Sequence, residues 1–139
     1  MTIWNELAGL DFELTTVDAG GVPTRSLQAG SGDEAVIFLH GTSGHLEAFA
    51  RNIAPHAESY RVHAIDMLGH GYTGKPDYPY EIPRYVEHLV NYLTRSDWTV
   101  CTWWVKASVV GSLPTWPASS PNVFCRCSCW QQAEQSRTR

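Results

Sequence analysis

Two short segments combine residue types that can do chemistry. The first is Phe-Leu-His-Gly-Thr-Ser-Gly-His, residues 38–45. It follows an apolar run and leads into a helical pattern. Backbone N–H groups in such a loop have no helical partner, so they can point at a developing negative charge. An oxyanion hole is built this way. The candidate residues are His40, Gly41, Thr42, Ser43 and Gly44. Taken alone, His-Gly reads more simply as a strand-to-helix turn, with Gly41 chosen for its φ freedom and His40 bonded locally. The second segment is Ile-Asp-Met-Leu-Gly-His-Gly-Tyr-Thr-Gly-Lys-Pro, residues 65–76. Asp66 closes a strand, and Gly69 and Gly71 let the loop turn sharply. Its carboxyl group can serve as a catalytic acid, but a loop-organising hydrogen bond is the simpler role. These glycines do not make a dinucleotide fingerprint, because the spacing and the following helix are wrong. Ser43, His45 and Glu47 are candidates to face a substrate pocket, and nothing in the sequence orients them.

The surrounding pattern supplies elements to carry these loops. Residues 11–30 alternate apolar and polar positions on both sides of Gly20-Gly21, the mark of two strands and a tight turn. Ala35 to Leu39 is continuously apolar, which suits a strand buried on both faces of a parallel sheet. Leu46, Phe49, Ile53 and Ala57 recur at helical spacing, with Pro55 placed to kink or end the helix. Tyr60 to Asp66 reads as another short strand. Ile82, Tyr85, Val86, Leu89, Val90 and Leu93 fall on one helical face. Hairpin, strand, helix, strand, loop and helix in that order predict an α/β fold with a parallel sheet.

The two motifs together are far more specific than either alone. His-Gly-Thr-Ser-Gly after an apolar strand, then Ala-Ile-Asp-Met-Leu-Gly-His-Gly-Tyr-Thr about twenty-five residues on, resembles the α/β-hydrolase family. Residues 40–53, 66–82 and 85–93 look most like hydrolases of meta-cleavage products of aromatic-ring degradation. The resemblance covers roughly residues 3–93, about the first third of such an enzyme. It implies a Ser-His-Asp hydrolase of a carbon–carbon bond in a 2-hydroxy-6-oxo-hexa-2,4-dienoate. Such an enzyme ketonises the dienol and adds water at the remote ketone. It releases 2-hydroxypenta-2,4-dienoate and a carboxylic acid. The resemblance implies a small-molecule dienoate as the partner and no metal or organic cofactor. By position, the Thr42 N–H would be one oxyanion donor, and the second would follow the nucleophile.

That nucleophile is absent from its place. The family's Gly-x-Ser-x-Gly elbow should follow the helix ending near Leu93, but the chain there reads Trp-Trp-Val-Lys-Ala-Ser-Val-Val-Gly-Ser. Ser108 has no glycine two places before or after it, and no histidine follows His88. A makeshift triad of Ser108, His40 and Asp66 is disfavoured, since the family uses the His40 position for loop shape rather than as a base. The genetic code offers a different account. Joining the third base of each codon to the first two of the next forces Asp at Trp98-Thr99, Val at Trp103-Trp104 and Gly at Trp104-Val105. The other positions permit Asp-Arg-Val-His-Leu-Val-Gly-Glu-Ser-Leu-Gly-Gly-Trp, a strand running into the expected elbow. Codons from Ser120 onward likewise permit Pro-Glu-Arg-Val, a common helix end in this superfamily. Loss of one base near the Leu93-Thr94 junction would produce this. Residues 1–93 are therefore expected to be a partial α/β-hydrolase domain. Residues 94–139 are expected to be an out-of-frame tail without native fold, with no secondary structure assigned to it beyond chance.

Composition follows the same break. Residues 1–93 hold 12 acidic and 5 basic residues, whereas residues 94–139 hold 2 and 5. Cys101, Cys125, Cys127 and Cys129 and five of the six tryptophans lie after the break, and all six histidines lie before it. With 139 residues, 43% hydrophobic and 17% charged, the chain has the character of a soluble globular domain. A net charge of -4 gives no reason to expect nucleic acid as a partner. The sequence has no membrane-length apolar run and no signal-peptide pattern, which points to a cytoplasmic location. The Cys-x-Cys-x-Cys tail lacks the spacing of a zinc module, and a reducing compartment disfavours disulfides. Rival functions are another α/β-hydrolase of esterase type and a non-catalytic interaction remnant. Read as truncated, the sheet would leave the strand at residues 35–39 and the apolar face of the helix at 82–93 without neighbours. That predicts an aggregation-prone product without hydrolase activity.

Overall fold

A computed structural model describes residues 2–41 and 43–96, with the backbone alone for Ile3 and for residues 100–105 and 124–129. After a 3-10 turn at Ile3–Leu7 come β1 (Phe12–Ala19), β2 (Val22–Ala29) and β3 (Ala35–Leu39). A 3-10 turn at Leu46–Phe49 runs into α1 (Ala50–Ala57), followed by β4 (Arg61–Ile65) and α2 (Ile82–Arg95). Gly20 and Gly21 join β1 to β2 with φ of 65° and 88°, the left-handed pair a two-residue hairpin turn needs. Pro55 lies inside α1, and the helix ends two residues later. His56 Nδ1 bonds the Asn52 carbonyl at 2.7 Å across that turn.

The sheet order is β1-β2-β4-β3-β5-β6. The hairpin is antiparallel and β2 runs antiparallel to β4, while β4, β3 and the strands beyond are parallel. All five residues of β3 are buried, so both of its faces are covered. Val36 and Phe38 face a cluster with Leu27, Leu46, Ile53 and Val62 beneath α1. Ala35, Ile37 and Leu39 face Ile65, Leu89 and Leu93 beneath α2. Burying a side chain such as Ile53, at 0% exposure, contributes about 1.5–3 kcal/mol. The register places Leu39 beside Ile65, so the loops that follow β3 and β4 leave the sheet side by side.

Three expectations need correction. The most buried residues of α2 are His88, Leu89, Tyr92 and Leu93, rather than the purely apolar face read from the sequence. The helix is turned toward polar partners on the sheet, since Thr24, Ser26 and His63 are buried there. Its apolar face does not lack neighbours, because Leu89 and Leu93 pack on β3 and β4. After residue 93, α2 continues to Arg95, and β5 (Val100–Val105) and β6 (Phe124–Cys129) extend the sheet. β5 pairs with β3 from Ala35↔Cys101 to Leu39↔Val105, so β3 is not an open edge. The physical reason is composition: Val-Cys-Thr-Trp-Trp-Val is rich in the β-branched and aromatic residues that fit a pleated surface.

Candidate active site

The sheet delivers His40 and Asp66 from neighbouring parallel strands, one residue past each strand end. After β3 the chain makes a tight turn in which Gly44 N–H donates to the Gly41 carbonyl at 3.0 Å. Ser43 occupies the third position of that turn with φ of 61°, a left-handed conformation that a non-glycine residue seldom adopts. A Cβ on Gly44 would crowd the side chain of His40, so the turn closes directly over that ring. Thr42, the expected oxyanion donor, lies outside the described residues, as does Ser108.

His40 is buried and both of its ring nitrogens are engaged by backbone. Nδ1 donates to the Gly41 carbonyl at 2.8 Å, and Nε2 accepts the Met67 N–H at 2.9 Å. This pair of bonds selects the neutral Nδ1–H tautomer. Burial lowers the His40 pKa below the ordinary imidazole value; the Gly41 carbonyl and Asp66 oppose this, and His70 and His45 reinforce it. The His70 ring lies 5.0 Å from that of His40. An imidazole held in this way shapes the loop and is not free to act as a general base.

Asp66 is fully buried and gathers donors from both loops. Its Oδ1 accepts the Leu46 N–H at 2.7 Å and its Oδ2 accepts the Tyr72 N–H at 3.0 Å. Thr73 Oγ1 donates to the Asp66 carbonyl at 2.7 Å. Gly71, with φ of 51°, passes so close to the carboxylate that a Cβ there would collide with it. Gly69 N–H donates to the Gly74 carbonyl at 3.2 Å and closes the loop.

Arg25 was not legible as a site residue. It projects from β2 with its side chain 11% exposed, 2.6 Å from Glu47 Oε1 and 3.3 Å from Asp66 Oδ2. Glu47 also meets His45 Nδ1 at 2.8 Å, which settles where those two side chains turn. The Arg25 guanidinium lies 4.8 Å from the Tyr72 ring centre and 6.0 Å from that of Trp4. One signal was present: Arg25 is the only basic residue in the first 50. Burial acts to lower its pKa, but the hydrogen bonds and charges of Glu47 and Asp66 outweigh it and leave the pKa raised.

A separate groove of about 910 Å³ lies at the other end of the sheet. It is lined by Gln28, Arg61, His63, Arg95 and Ser96 among others, away from both loops. Among the described residues no group of three or more His, Cys, Asp or Glu side chains is placed to hold a metal ion. No helix among them is long and apolar enough to cross a membrane.

Known proteins share this arrangement. The alpha/beta hydrolase fold family matches residues 34–103, from the start of β3 into β5. The chain is 41% identical over 99 residues to 2-hydroxy-6-oxo-6-(2'-aminophenyl)hexa-2,4-dienoic acid hydrolase of Metapseudomonas resinovorans, covering 69% of this chain and 32% of that protein. It is 39% identical over 74 residues to a haloalkane dehalogenase of Mesorhizobium japonicum, covering 51% of this chain and 23% of that one. The crystal structure of a serine hydrolase involved in carbazole degradation, CarC, superposes with a TM-score of 0.62 at 36% identity, over 68% of this chain and 38% of that one. The chain thus spans about a third or less of the length of these curated relatives. With its family match, its strand order and its paired loops after β3 and β4, the chain belongs to the α/β-hydrolase fold family.

Proposed function

We propose that residues 1–93 are the N-terminal part of a hydrolase that cleaves a carbon–carbon bond in a meta-cleavage product of aromatic degradation. The observation that carries this reading is the 41% identity over 99 residues to a dienoic acid hydrolase. The knitted loops support it, since they form the kind of rigid frame an oxyanion donor requires. In this reading the Thr42 N–H is one donor to the oxyanion formed when water adds to the remote ketone. His40, Gly41, Ser43 and Gly44 hold its turn, and Asp66, Gly69 and Gly71 brace that turn from the next loop. The products are 2-hydroxypenta-2,4-dienoate and a carboxylic acid, with no metal or organic cofactor involved.

The second part of the proposal is that residues 94–139 are read out of frame, so that the chain as written lacks activity. Support comes from the position of β5. It runs parallel to β3 and ends with Val105 opposite Leu39. The shifted reading ends its own strand there and puts the serine of Gly-Glu-Ser-Leu-Gly at the Lys106-Ala107 codon pair. That codon pair directly follows Val105, the last residue of β5.

Inserting one base at the codons for Leu93 and Thr94 tests both parts. The restored protein is expected to bleach a 2-hydroxy-6-oxo-6-arylhexa-2,4-dienoate, while the chain as written does not. Stop codons in the shifted frame of the gene would sink the out-of-frame reading. A restored enzyme that hydrolysed simple esters and left dienoates untouched would sink the carbon–carbon assignment.

A further inference from the structure

We infer that Arg25 is a positioning residue whose guanidinium, shared between Glu47 and Asp66, sets the spacing between the 40–46 turn and the 66–74 loop. Four segments meet at this side chain. Trp4 comes from the N-terminal 3-10 turn, Glu47 from the segment after the His40 turn, Asp66 from the end of β4 and Tyr72 from the following loop. The backbone of Arg25 joins the same two loops: its N–H donates to Thr73 Oγ1 at 3.0 Å, and its carbonyl accepts the Asp66 N–H at 3.1 Å.

The geometry makes the fork the decisive feature. The Asp66 carboxylate is buried, and its Oδ2 is shared by the Tyr72 N–H and Arg25 Nη1. Its Oδ1 takes the Leu46 N–H, at the start of the 3-10 turn Leu46–Phe49. The plane of that carboxylate therefore determines where Leu46 sits relative to Tyr72. Arg25 fixes the plane from one side while its second nitrogen holds Glu47, one residue beyond Leu46. A guanidinium holds two carboxylates in a fixed geometry, whereas an ammonium is a point donor that can hold only one of them well. Through the Met67 N–H bond to Nε2, the His40 ring follows any shift between the loops. The role as a support for oxyanion chemistry rests on the hydrolase reading above; the coupling of the two loops does not.

The test is made on the full chain with Arg25→Lys, which keeps the charge and removes the fork. Two readouts are taken: amide exchange at Gly44, Leu46, Met67 and Tyr72, and the imidazole nitrogen spectrum of His40. Exchange at those four amides is expected to speed up about tenfold or more, with Ile37 and Val62 in the sheet unchanged. His40 is expected to pass from one Nδ1–H tautomer to a mixture. If Arg25→Lys does not fold, Glu47→Gln removes one arm of the fork and is read at the same positions. Unchanged loop amides and an unchanged His40 spectrum would overturn the inference. So would a uniform loss of protection across the sheet, which would mean that Arg25 only holds the fold together. No substrate enters this experiment, so its failure is distinct from a failure of the restored protein to cleave a dienoate.

Discussion

Thr24 Oγ1 on β2 lies 2.7 Å from His88 Nε2 on α2, and both side chains are buried. The threonine hydroxyl gives its one proton to the Val22 carbonyl at 3.0 Å, so the histidine nitrogen is the donor in the pair. Next to it, the Tyr92 hydroxyl stands 2.6 Å from Ser26 Oγ and 2.8 Å from His63 Nδ1. The seam between α2 and the sheet is thus hydrogen-bonded as well as apolar. Polar groups without water contact are costly unless paired, so this seam specifies one seating of the helix.

Acid should loosen the seam. Burial lowers the His88 pKa to about 4 and, with the charge of Arg61, that of His63 to about 3. Between those values and the ordinary 6.5, the folded histidines stay neutral while the unfolded chain takes up protons. Their contribution is complete above about pH 6.5 and is lost as the pH falls through the folded values. For His88 the loss is on the order of 3 kcal/mol. Urea midpoints measured between about pH 7 and pH 4 should fall steeply in the parent chain, and less so in His88→Gln. Parallel slopes for the two proteins would show that His88 is not the group responsible.

Tyr92→Phe keeps the ring and removes the hydroxyl that joins Ser26 to His63. A cost of about 1–3 kcal/mol is expected, the penalty for leaving buried polar groups short of a partner. Burial raises the Tyr92 pKa to about 12, so its contribution holds below about pH 10 and fades as the pH climbs through the folded value. The phenylalanine variant should therefore show a smaller alkaline loss of stability than the parent. Thermal midpoints at about pH 8 and pH 11 would show whether it does.

What the sequence disclosed and what it hid follow from one distinction. β3 was legible because five consecutive apolar residues need no partner to be recognised, and the hairpin because Gly20-Gly21 states its own turn. The seating of α2 was not, because apolar periodicity cannot see a helix turned toward polar partners. Thr24 and His88 are 64 residues apart, and Ser26 and Tyr92 are 66 apart. In the site, His40 to Gly44 and Asp66 stood out through their motifs. The role of Arg25 depends on carboxylates 22 and 41 residues away, a link that only the fold creates. Residues 100–105 show a further limit. Strand propensity belongs to residue types, so a segment can take a place in a sheet whatever its origin.

Gly71→Ala should be much more damaging than Gly9→Ala. Both glycines have left-handed φ, 51° and 81°, so an added Cβ strains each backbone by roughly 1–2 kcal/mol. Gly9 has open space around that position, whereas at Gly71 the Cβ would meet the buried Asp66 carboxylate. Moving that group breaks its bonds to Leu46, Tyr72 and Arg25, and a total of about 3 kcal/mol or more is expected. Chemical denaturation of the two variants compares them directly. Equal losses would mean that the loop can slide away from Asp66 at little cost.

The pairing of β5 with β3 leads to a prediction about solubility. β3 is a five-residue apolar strand with β4 on one side and β5 on the other. A chain ending at Ser96 keeps α2, which extends to Arg95, but strips β5 away. That leaves the backbone groups of Ala35–Leu39 unpaired along one flank, on a strand without charge or proline to deter another copy. Light scattering and gel filtration should therefore show the shortened chain forming larger species than the full chain at equal concentration. Replacing Ile37 with lysine in the shortened chain is not a useful remedy, since that side chain is buried beneath α2. A shortened chain that stayed monomeric and melted cooperatively would mean that β5 contributes nothing to covering the edge of β3. Residues 2–96 would then hold together without any segment that follows them.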